Sequence, residues 1–461
     1  MVPVRTPARL QLNGLPTIFP HAAGMDIGAE EIVVAVPEDA DPQPVRAFRT
    51  FTPDLHALVM WLRQCGIDTV AMESTGIYWI PIYEVLEQHG IVPYLVNARH
   101  AKTVPGRKSD WNDAQWVQRL HALGLLRASF RPDAALLAVR TLVRYRAELV
   151  QHRVPHYLQR QQALKVMNLQ LSEVLSDITG VTGLAIIRAI IAGERDPVRL
   201  AQYRNPACKA STETIAKALT GTWKAEQVFI LQQALTLYAV YTAQIAVCDT
   251  QIEQALGAMA SRSGDPAASL PDLPAAKGGS KTKNKPNFNA RAQVARIVGV
   301  DLVAVTGISG GLAQTILSEI GTDMTCFPTV KHFCSWLGLA PRNDISGGKV
   351  LRSRTRKVVS RANQAFRMAA QSVSRTDTMV GAYFRAIRAR KGPQQAIVAT
   401  AHKLARIVYH LLKYGDAYVE ERAAVYEQQR HERNLRQLSQ RAAKLGYTLT
   451  PTVHPSSQAT S

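Results

Sequence analysis

The stretch Gly24–Pro37, GMDIGAEEIVVAVP, decides the fold of the N-terminal part of the chain. An apolar run leads into a tight turn at Gly28, and a second apolar run, Ile32–Val36, follows the turn. This spacing predicts two antiparallel strands, and Pro44–Phe51 predicts a third strand beside them. The segment therefore predicts an antiparallel meander.

Beyond the meander, helical and strand patterns alternate. The apolar spacing predicts helices over Asp54–Cys65 and Tyr78–His89. It predicts buried strands over Asp68–Met72 and Ile91–Val96. Asp110–Leu126 predicts an amphipathic helix that Ser109 or Asp110 caps. Hairpins followed by alternating strands and helices are typical of an α/β domain, a mixed sheet with helices packed on it.

The rest of the chain has mainly helical patterns. Apolar residues near heptad spacing in Asp133–Ile178 predict coiled-coil-like helices, with Pro155 dividing them into two segments, and Thr212–Leu256 predicts more helix. Ser261–Asn289 is rich in Pro, Gly, Ser and Lys, which predicts a flexible basic linker. We predict a leader over 1–23, an α/β domain over 24–132, a helical region over 133–260, the linker over 261–289, a mainly α C-terminal domain over 290–441 and a disordered tail over 442–461.

Composition narrows the class of protein. The 461 residues are 46% hydrophobic and 20% charged, which excludes a disordered polyelectrolyte. The five cysteines are an odd number without a CxxC pair, which disfavours a disulfide framework and structural zinc. We find no run of about 18 uncharged apolar residues, and the leader lacks the apolar core of a signal peptide. The sequence predicts a cytoplasmic protein without a membrane partner.

The net charge of +20 is concentrated in the C-terminal third. Between Arg342 and Lys413 there are 16 basic residues and only two acids, Asp344 and Asp377. One-sided charge repels itself, and a polyanion is its natural neutraliser. The distribution predicts a nucleic-acid partner, with an idle basic surface as the alternative.

Four carboxylates stand where a sheet protein would hold a metal ion. Asp26 ends the first strand, Glu73 ends a later one, and Asp110 and Asp113 share a helix face because they are three residues apart. Hard oxygen ligands favour magnesium, with manganese as the second choice. From the residues alone, the other interpretation stays open: Asp26 as a turn residue and Asp110 as a helix cap.

In their order, these parts resemble the N-terminal domain of the DEDD transposases of the insertion-sequence one-ten family. The resemblance rests on DIG, EST-G and KSDWNDA and covers about residues 24–135. It implies a ribonuclease-H-like domain similar to RuvC-type Holliday-junction resolvases. By position, the four acidic residues of the family fall on Asp26, Glu73, Asp110 and Asp113, and Ser109 stands where threonine is commoner.

A second resemblance, to the transposase-specific domain of the same family, rests on WLGLAPRN…SGGK…R and ends near residue 415. It implies that Ser346, in DISGGK, is the recombination nucleophile, in preference to Ser335, Ser353 or Ser360; composition alone favours a turn residue there. Val305–Gly321 resembles a helix-hairpin-helix element, with an ordinary core helix-turn-helix as the alternative. The cations near Ser346 that we expect to bind nucleic acid are Arg342, Lys349, Arg352, Arg354, Arg356, Lys357 and Arg361.

The resemblance implies a transposase, a site-specific DNA recombinase that moves its own insertion sequence under the guidance of a structured non-coding bridge RNA. In that reaction Ser346 attacks donor or target DNA while magnesium at the acidic tetrad polarises the phosphate. It also implies homodimers that join into a tetramer, with the helices in 134–178 and 212–256 as dimerisation surfaces and an insertion over 195–296. Two alternatives stay open: a RuvC-like junction nuclease with metal-activated water, and a non-catalytic nucleic-acid-binding protein.

Overall fold

The computed structural model describes residues 14–73, 76–96, 113–262, 271–273, 284–356, 358, 360–415 and 423–450. The chain folds as two compact units, residues 1–131 and 132–461. The first unit is built on a five-stranded sheet of β1 (Ala22–Ile27), β2 (Glu31–Ala35), β3 (Val45–Arg49), β4 (Thr69–Glu73) and β5 (Val92–Val96). The strand order is β3-β2-β1-β4-β5; β1, β2 and β3 pair antiparallel, β4 pairs parallel with β1, and β5 pairs parallel with β4. The predicted meander and mixed sheet are confirmed.

Helices cover both faces of this sheet. Helices α1 (Thr52–Gln64) and α2 (Trp79–Gln88) share one buried core with alternate strand residues such as Met25 and Met72. Helix α3 (Asp113–Ala122) packs on the other face, where Ala71 belongs to a smaller apolar cluster. The two-residue period of each strand therefore assigns its side chains to one core or the other.

The second unit begins with a long helical hairpin of α4 (Ala134–Val166) and α9 (Ala225–Ala258). The helices run antiparallel, because Cys248 contacts Leu142 while Thr242 contacts Arg153. The predicted division at Pro155 is wrong, since α4 continues through this residue. An internal proline costs a helix about 3 kcal/mol, and the contacts of α4 with α9 on both sides of Pro155 offset that cost.

A small helical unit lies at the tip of the hairpin. It contains α5 (Leu171–Val174), α6 (Val181–Ile191), α7 (Pro197–Gln202) and α8 (Thr212–Ala218). These helices form a separate apolar cluster with the ends of α4 and α9. The helical stretch predicted over 212–256 consists of two helices, α8 and α9. Between them the chain passes the end of α4, where the Thr222 amide donates to the Met167 carbonyl.

The C-terminal helices pack at the other end of the hairpin. They are α10 (Ala290–Val298), α11 (Gly310–Ile320), α12 (Val330–Trp336), α13 (Arg361–Ser372), α14 (Met379–Lys391), α15 (Pro393–Tyr414) and α16 (Ala423–Lys444), with 3-10 turns at Leu302–Ala304 and Val373–Arg375. One apolar core joins this region to the base of α4 and α9. Glu319 reinforces the join, because both of its carboxylate oxygens accept from Arg144, at 2.8 and 2.7 Å.

A two-stranded antiparallel ribbon interrupts these helices. It consists of β6 (Pro341–Ser346) and β7 (Lys349–Thr355), and every residue of both strands is exposed. The sequence predicted an exposed turn here but no strands. Both faces of an isolated ribbon are exposed to solvent. Its sequence therefore lacks the alternation of apolar and polar residues that identifies a half-buried strand.

The predicted linker and tail are described only in part. Within the linker, residues 263–270 and 274–283 lie outside the described residues, while Asn284 is held by Arg153 at 2.7 Å. The predicted tail starts inside a helix, because α16 extends to Lys444; residues 451–461 lie outside the described part.

Among the described residues, α9 is the helix that is long and apolar enough to cross a membrane, by length and composition alone. It has no uninterrupted run of uncharged apolar residues, because Gln, Thr and a few charged side chains are interspersed with its apolar residues. Part of α9 packs on α4 through Ile245 and Cys248, which belong to the shared core.

Candidate active site

Asp26 and Glu73 lie side by side at the ends of the two central strands. The parallel register of β1 and β4 pairs Met25 with Met72, so the next residues along both strands are these two acids. Side-by-side residues of parallel strands project to the same face. The sheet therefore places both carboxylates on the face that α3 covers.

Helix α3 approaches β1 at Gly24, two residues before Asp26 and on the same face. A Cβ added to Gly24 would lie 2.2 Å from the Gln118 amide nitrogen and 2.4 Å from the Ala114 carbonyl oxygen. Real Cβ atoms never approach backbone so closely, so only glycine permits this contact. The contact holds the first turn of α3, which begins at Asp113, against the strand that carries Asp26.

The fourth predicted acid, Asp110, lies outside the described residues. Within the described ranges, no three His, Cys, Asp or Glu side chains come together as a metal-holding group. Asp26 is exposed and Glu73 half-buried, and neither has an ion pair with a described residue. The fold brings two carboxylates, those of Asp26 and Glu73, to one face of the sheet, and α3, which begins at Asp113, packs on that face. Carboxylate oxygens are the ligands that a hard divalent cation prefers.

Ser346 lies at the tip of the ribbon. Gly347 and Gly348 form its two-residue turn with φ values of 54° and 76°, and Ser346 pairs with Lys349 across it. Positive φ at both central residues is the requirement of a type I′ hairpin turn, which glycine meets without strain. Ser346 therefore lies at the exposed tip of the ribbon.

The cross-strand pairs give the ribbon one cationic face. Arg342 pairs with Arg354, Asp344 with Arg352 and Ser346 with Lys349. Residues opposite each other share a face, as do residues two apart on a strand without an extra residue between them. Arg342, Asp344 and Ser346 alternate along β6, so Ser346 lies on the same face as the cations paired with these residues, which gives that face four cations and one acid. None of these cations has an ion pair with a residue in the described part of the chain.

Two of the predicted cations are held by the protein itself. Arg356 donates to the carbonyl and hydroxyl oxygens of Ser335, at 3.1 and 3.0 Å. Arg361 forms an ion pair with Glu148 at 3.5 Å. Both contacts position the base of the ribbon, while Lys357 lies outside the described residues.

Sequence reasoning missed Gly24, although a glycine two residues before a strand-end acid is a signal for close approach of another element. It also missed the exposed apolar side chains of the ribbon. Because no strand was predicted there, these side chains could not be assigned to one face of a strand.

Comparisons with known proteins bear on both regions. A family model for IS110 DEDD enzymes, described as "Transposase", matches residues 23–168, and the model described as "Transposase IS116/IS110/IS902 family" matches residues 300–385. The two segments together cover just over half of the chain. The chain belongs to the IS110 family of transposases. The resemblance to the insertion-sequence one-ten family is thereby confirmed.

The first match contains the four predicted acids and the second contains Ser346. A curated relative, "Putative transposase y4pF/y4sB" of Sinorhizobium fredii, is 27% identical over 127 residues. That alignment spans 25% of this IS110-family chain and 32% of the relative. Membership in the DEDD family implies a requirement for a divalent metal ion, which agrees in chemical type with the carboxylates of Asp26 and Glu73.

Proposed function

We propose that this chain is a site-specific DNA recombinase that moves its own insertion sequence, with Ser346 as nucleophile and an acidic tetrad as the metal-binding centre. The observation that carries the proposal is the shared face of Asp26 and Glu73 at the ends of β1 and β4, together with a serine at the tip of a cationic ribbon. The strand order also supports a ribonuclease-H-like, RuvC-like domain.

In the proposed reaction, the Ser346 hydroxyl attacks a DNA phosphodiester. A bond forms between Oγ and phosphorus as the hydroxyl proton leaves, and the bond to one sugar oxygen breaks as that oxygen takes a proton. This leaves a serine–DNA ester that a second sugar hydroxyl can resolve. The Arg352 and Arg354 guanidinium groups on the same face are suited to bind the phosphate and to stabilise its developing charge.

The carboxylates of Asp26, Glu73, Asp110 and Asp113 would hold magnesium. When bound, the ion polarises a phosphodiester and favours deprotonation of a hydroxyl. The role of the chain is to hold these acids at one edge of the sheet, which β1, β4 and the close approach of α3 support.

We further propose that a structured non-coding RNA guides the choice of DNA. The supporting observation is that the ribbon carries basic side chains suited to bind phosphates. Such side chains bind the nucleic-acid backbone, so base pairing by an RNA would recognise the DNA sequence.

A homodimer is the proposed assembly unit. Several large apolar side chains are exposed along α4 and α9, namely Tyr145, Val154, Leu158, Phe229, Leu237, Val240 and Val247. Exposed apolar patches of this kind mark interaction surfaces, and a second copy of the hairpin offers the same apolar surface. Two such dimers would form the proposed tetramer.

The test is recombination between donor and target plasmids with the flanking non-coding RNA supplied. We expect Ser346→Ala and Glu73→Gln each to lower the product by at least about 10³-fold, the scale of losing a nucleophile or an electrostatic group. Ser353→Ala, on the opposite face of the ribbon, is the control and should retain activity. If Ser346→Ala still cleaves while Glu73→Gln does not, the chain is a metal-dependent nuclease and the serine assignment is wrong.

A further inference from the structure

Three large apolar side chains are exposed at the tip of the ribbon. The exposed fractions of Ile345, Val350 and Leu351 are 62%, 54% and 71%. Each lies within three residues of the Gly347–Gly348 turn. Exposing such side chains together costs free energy that only a bound surface recovers.

The register places this triad on the face opposite Ser346. Ile345 pairs with Val350, and the register shifts between Asp344 and Ile345, which leaves Leu351 as the extra residue of a β-bulge. In such a bulge both residues of the longer strand oppose one residue of the other strand. The tip therefore has a cationic face with the serine and an apolar face behind it.

Charge complementarity identifies what covers the apolar face. A two-stranded ribbon is one strand layer thick, so a ligand at its tip meets both faces. The other face carries four cations and one acid, without ion pairs to described residues, which favours a polyanion over an apolar protein surface. The largest apolar surface of DNA is the flat face of its bases, and this face becomes accessible only where a base step is unstacked.

We propose that Ile345, Val350 and Leu351 form an apolar wedge that separates stacked bases beside the phosphodiester at Ser346. The inference rests on the proposed function and adds to it a strand-opening role. Proteins that insert leucine, isoleucine or other apolar side chains between base steps recover the cost of unstacking through new contacts.

The experiment measures binding of the full-length chain to two 30-base-pair DNA probes. One probe is fully paired. The other carries a central two-nucleotide mismatch bubble, in which the bases are unstacked before the protein binds. We expect the wild type to bind the bubble about tenfold more tightly, since unstacking a step costs a few kcal/mol. The double variant Val350→Ser/Leu351→Ser should bind both probes alike, within about twofold, while its affinity for the paired probe stays close to wild type because the cations remain.

Two controls separate the wedge from general effects. Leu351→Met keeps an apolar side chain and should keep the preference for the bubble; Val181→Ser removes an exposed apolar residue at the tip of the helical hairpin and should change nothing. The inference is overturned if the wild type shows no preference or if the double variant retains it. It is equally overturned if the double variant changes the mass of the protein in solution, since the triad would then cover a protein surface.

The bubble assay needs neither RNA nor metal, so its outcome is independent of the recombination assay. A wild type that prefers the bubble but never recombines DNA refutes the proposed function and leaves the wedge in place. A wild type that recombines DNA without a preference for the bubble refutes the wedge alone.

Discussion

Gly24 determines how closely α3 lies against β1, and through it the placement of the acids. Any β-carbon there would overlap the backbone of α3 at Ala114 and Gln118. We predict that Gly24→Ala lowers the free energy of unfolding by about 1–3 kcal/mol, the usual cost of overpacking. It should also abolish the metal-dependent activity, because α3 and Asp113 must move away from the strand that carries Asp26.

Urea unfolding of the full-length variants measures the stability loss. Gly257→Ala is the matched control, because Gly257 lies in α9 with no atom within 4 Å of an added Cβ. Alanine there should be neutral or raise stability by up to about 1 kcal/mol. Equal unfolding midpoints for Gly24→Ala and wild type would show that the close approach does not constrain α3.

Among single residues, the acids at the strand ends could be predicted from the sequence, whereas the residues that hold the ribbon in position could not. Asp26 and Glu73 could be singled out because a strand end is visible in the local pattern. The hydrogen bond from Arg356 to Ser335 could not be predicted, because it joins residues 21 positions apart and depends on how α12 packs at the base of the ribbon.

Among the elements, α3 contains a buried histidine that makes the first unit sensitive to pH. His121 is 1% exposed, contacts the Thr69 hydroxyl at 2.9 Å and stacks on Phe19. Burial lowers the pKa of His121 from 6.5 to about 4. Below pH 6.5 the unfolded chain takes up a proton that the folded chain refuses, so stability falls as the pH drops from 6.5 towards 4.

We predict that His121→Gln is less sensitive to acid than wild type in this window. Each pKa unit corresponds to about 1.4 kcal/mol, which sets an upper bound of about 3 kcal/mol on the difference between the proteins. Melting temperatures at pH 7.5, 6, 5 and 4 measure it. His402, whose pKa is also lowered by burial, is present in both proteins and cancels. Parallel pH profiles would contradict the assignment.

Elements with strong periodicity could be predicted from sequence, and exposed ones could not. The continuous apolar runs of β1 and β4 mark strands that are buried on both faces, whereas β6 and β7 have no buried face. The prediction of a helix break at Pro155 was wrong for a related reason. The free-energy cost of a proline inside a helix can be read from the sequence, whereas the packing of α4 on α9 that offsets this cost cannot.

For the whole molecule, the exposed apolar residues of α4 and α9 predict a homodimer. Leu237→Lys/Val240→Lys places two charges on this surface, and burying unpaired charges is costly. We expect the double variant to have half the mass of the wild type in size-exclusion chromatography with light scattering. Val198→Lys, an exposed apolar position on α7, is the control and should leave the mass unchanged. A monomeric wild type would contradict the prediction.

The proposed recombination depends on one chemical link, the ester between Ser346 and DNA. The most direct measurement is to trap protein–DNA adducts from the recombination reaction, digest them with protease and nuclease, and locate the nucleotide by mass spectrometry. We predict a magnesium-dependent nucleotide on Ser346 in the wild type, absent from Glu73→Gln and Ser346→Ala. A nucleotide on Ser353, Ser360 or any other residue, or an active wild type without an adduct, would contradict it.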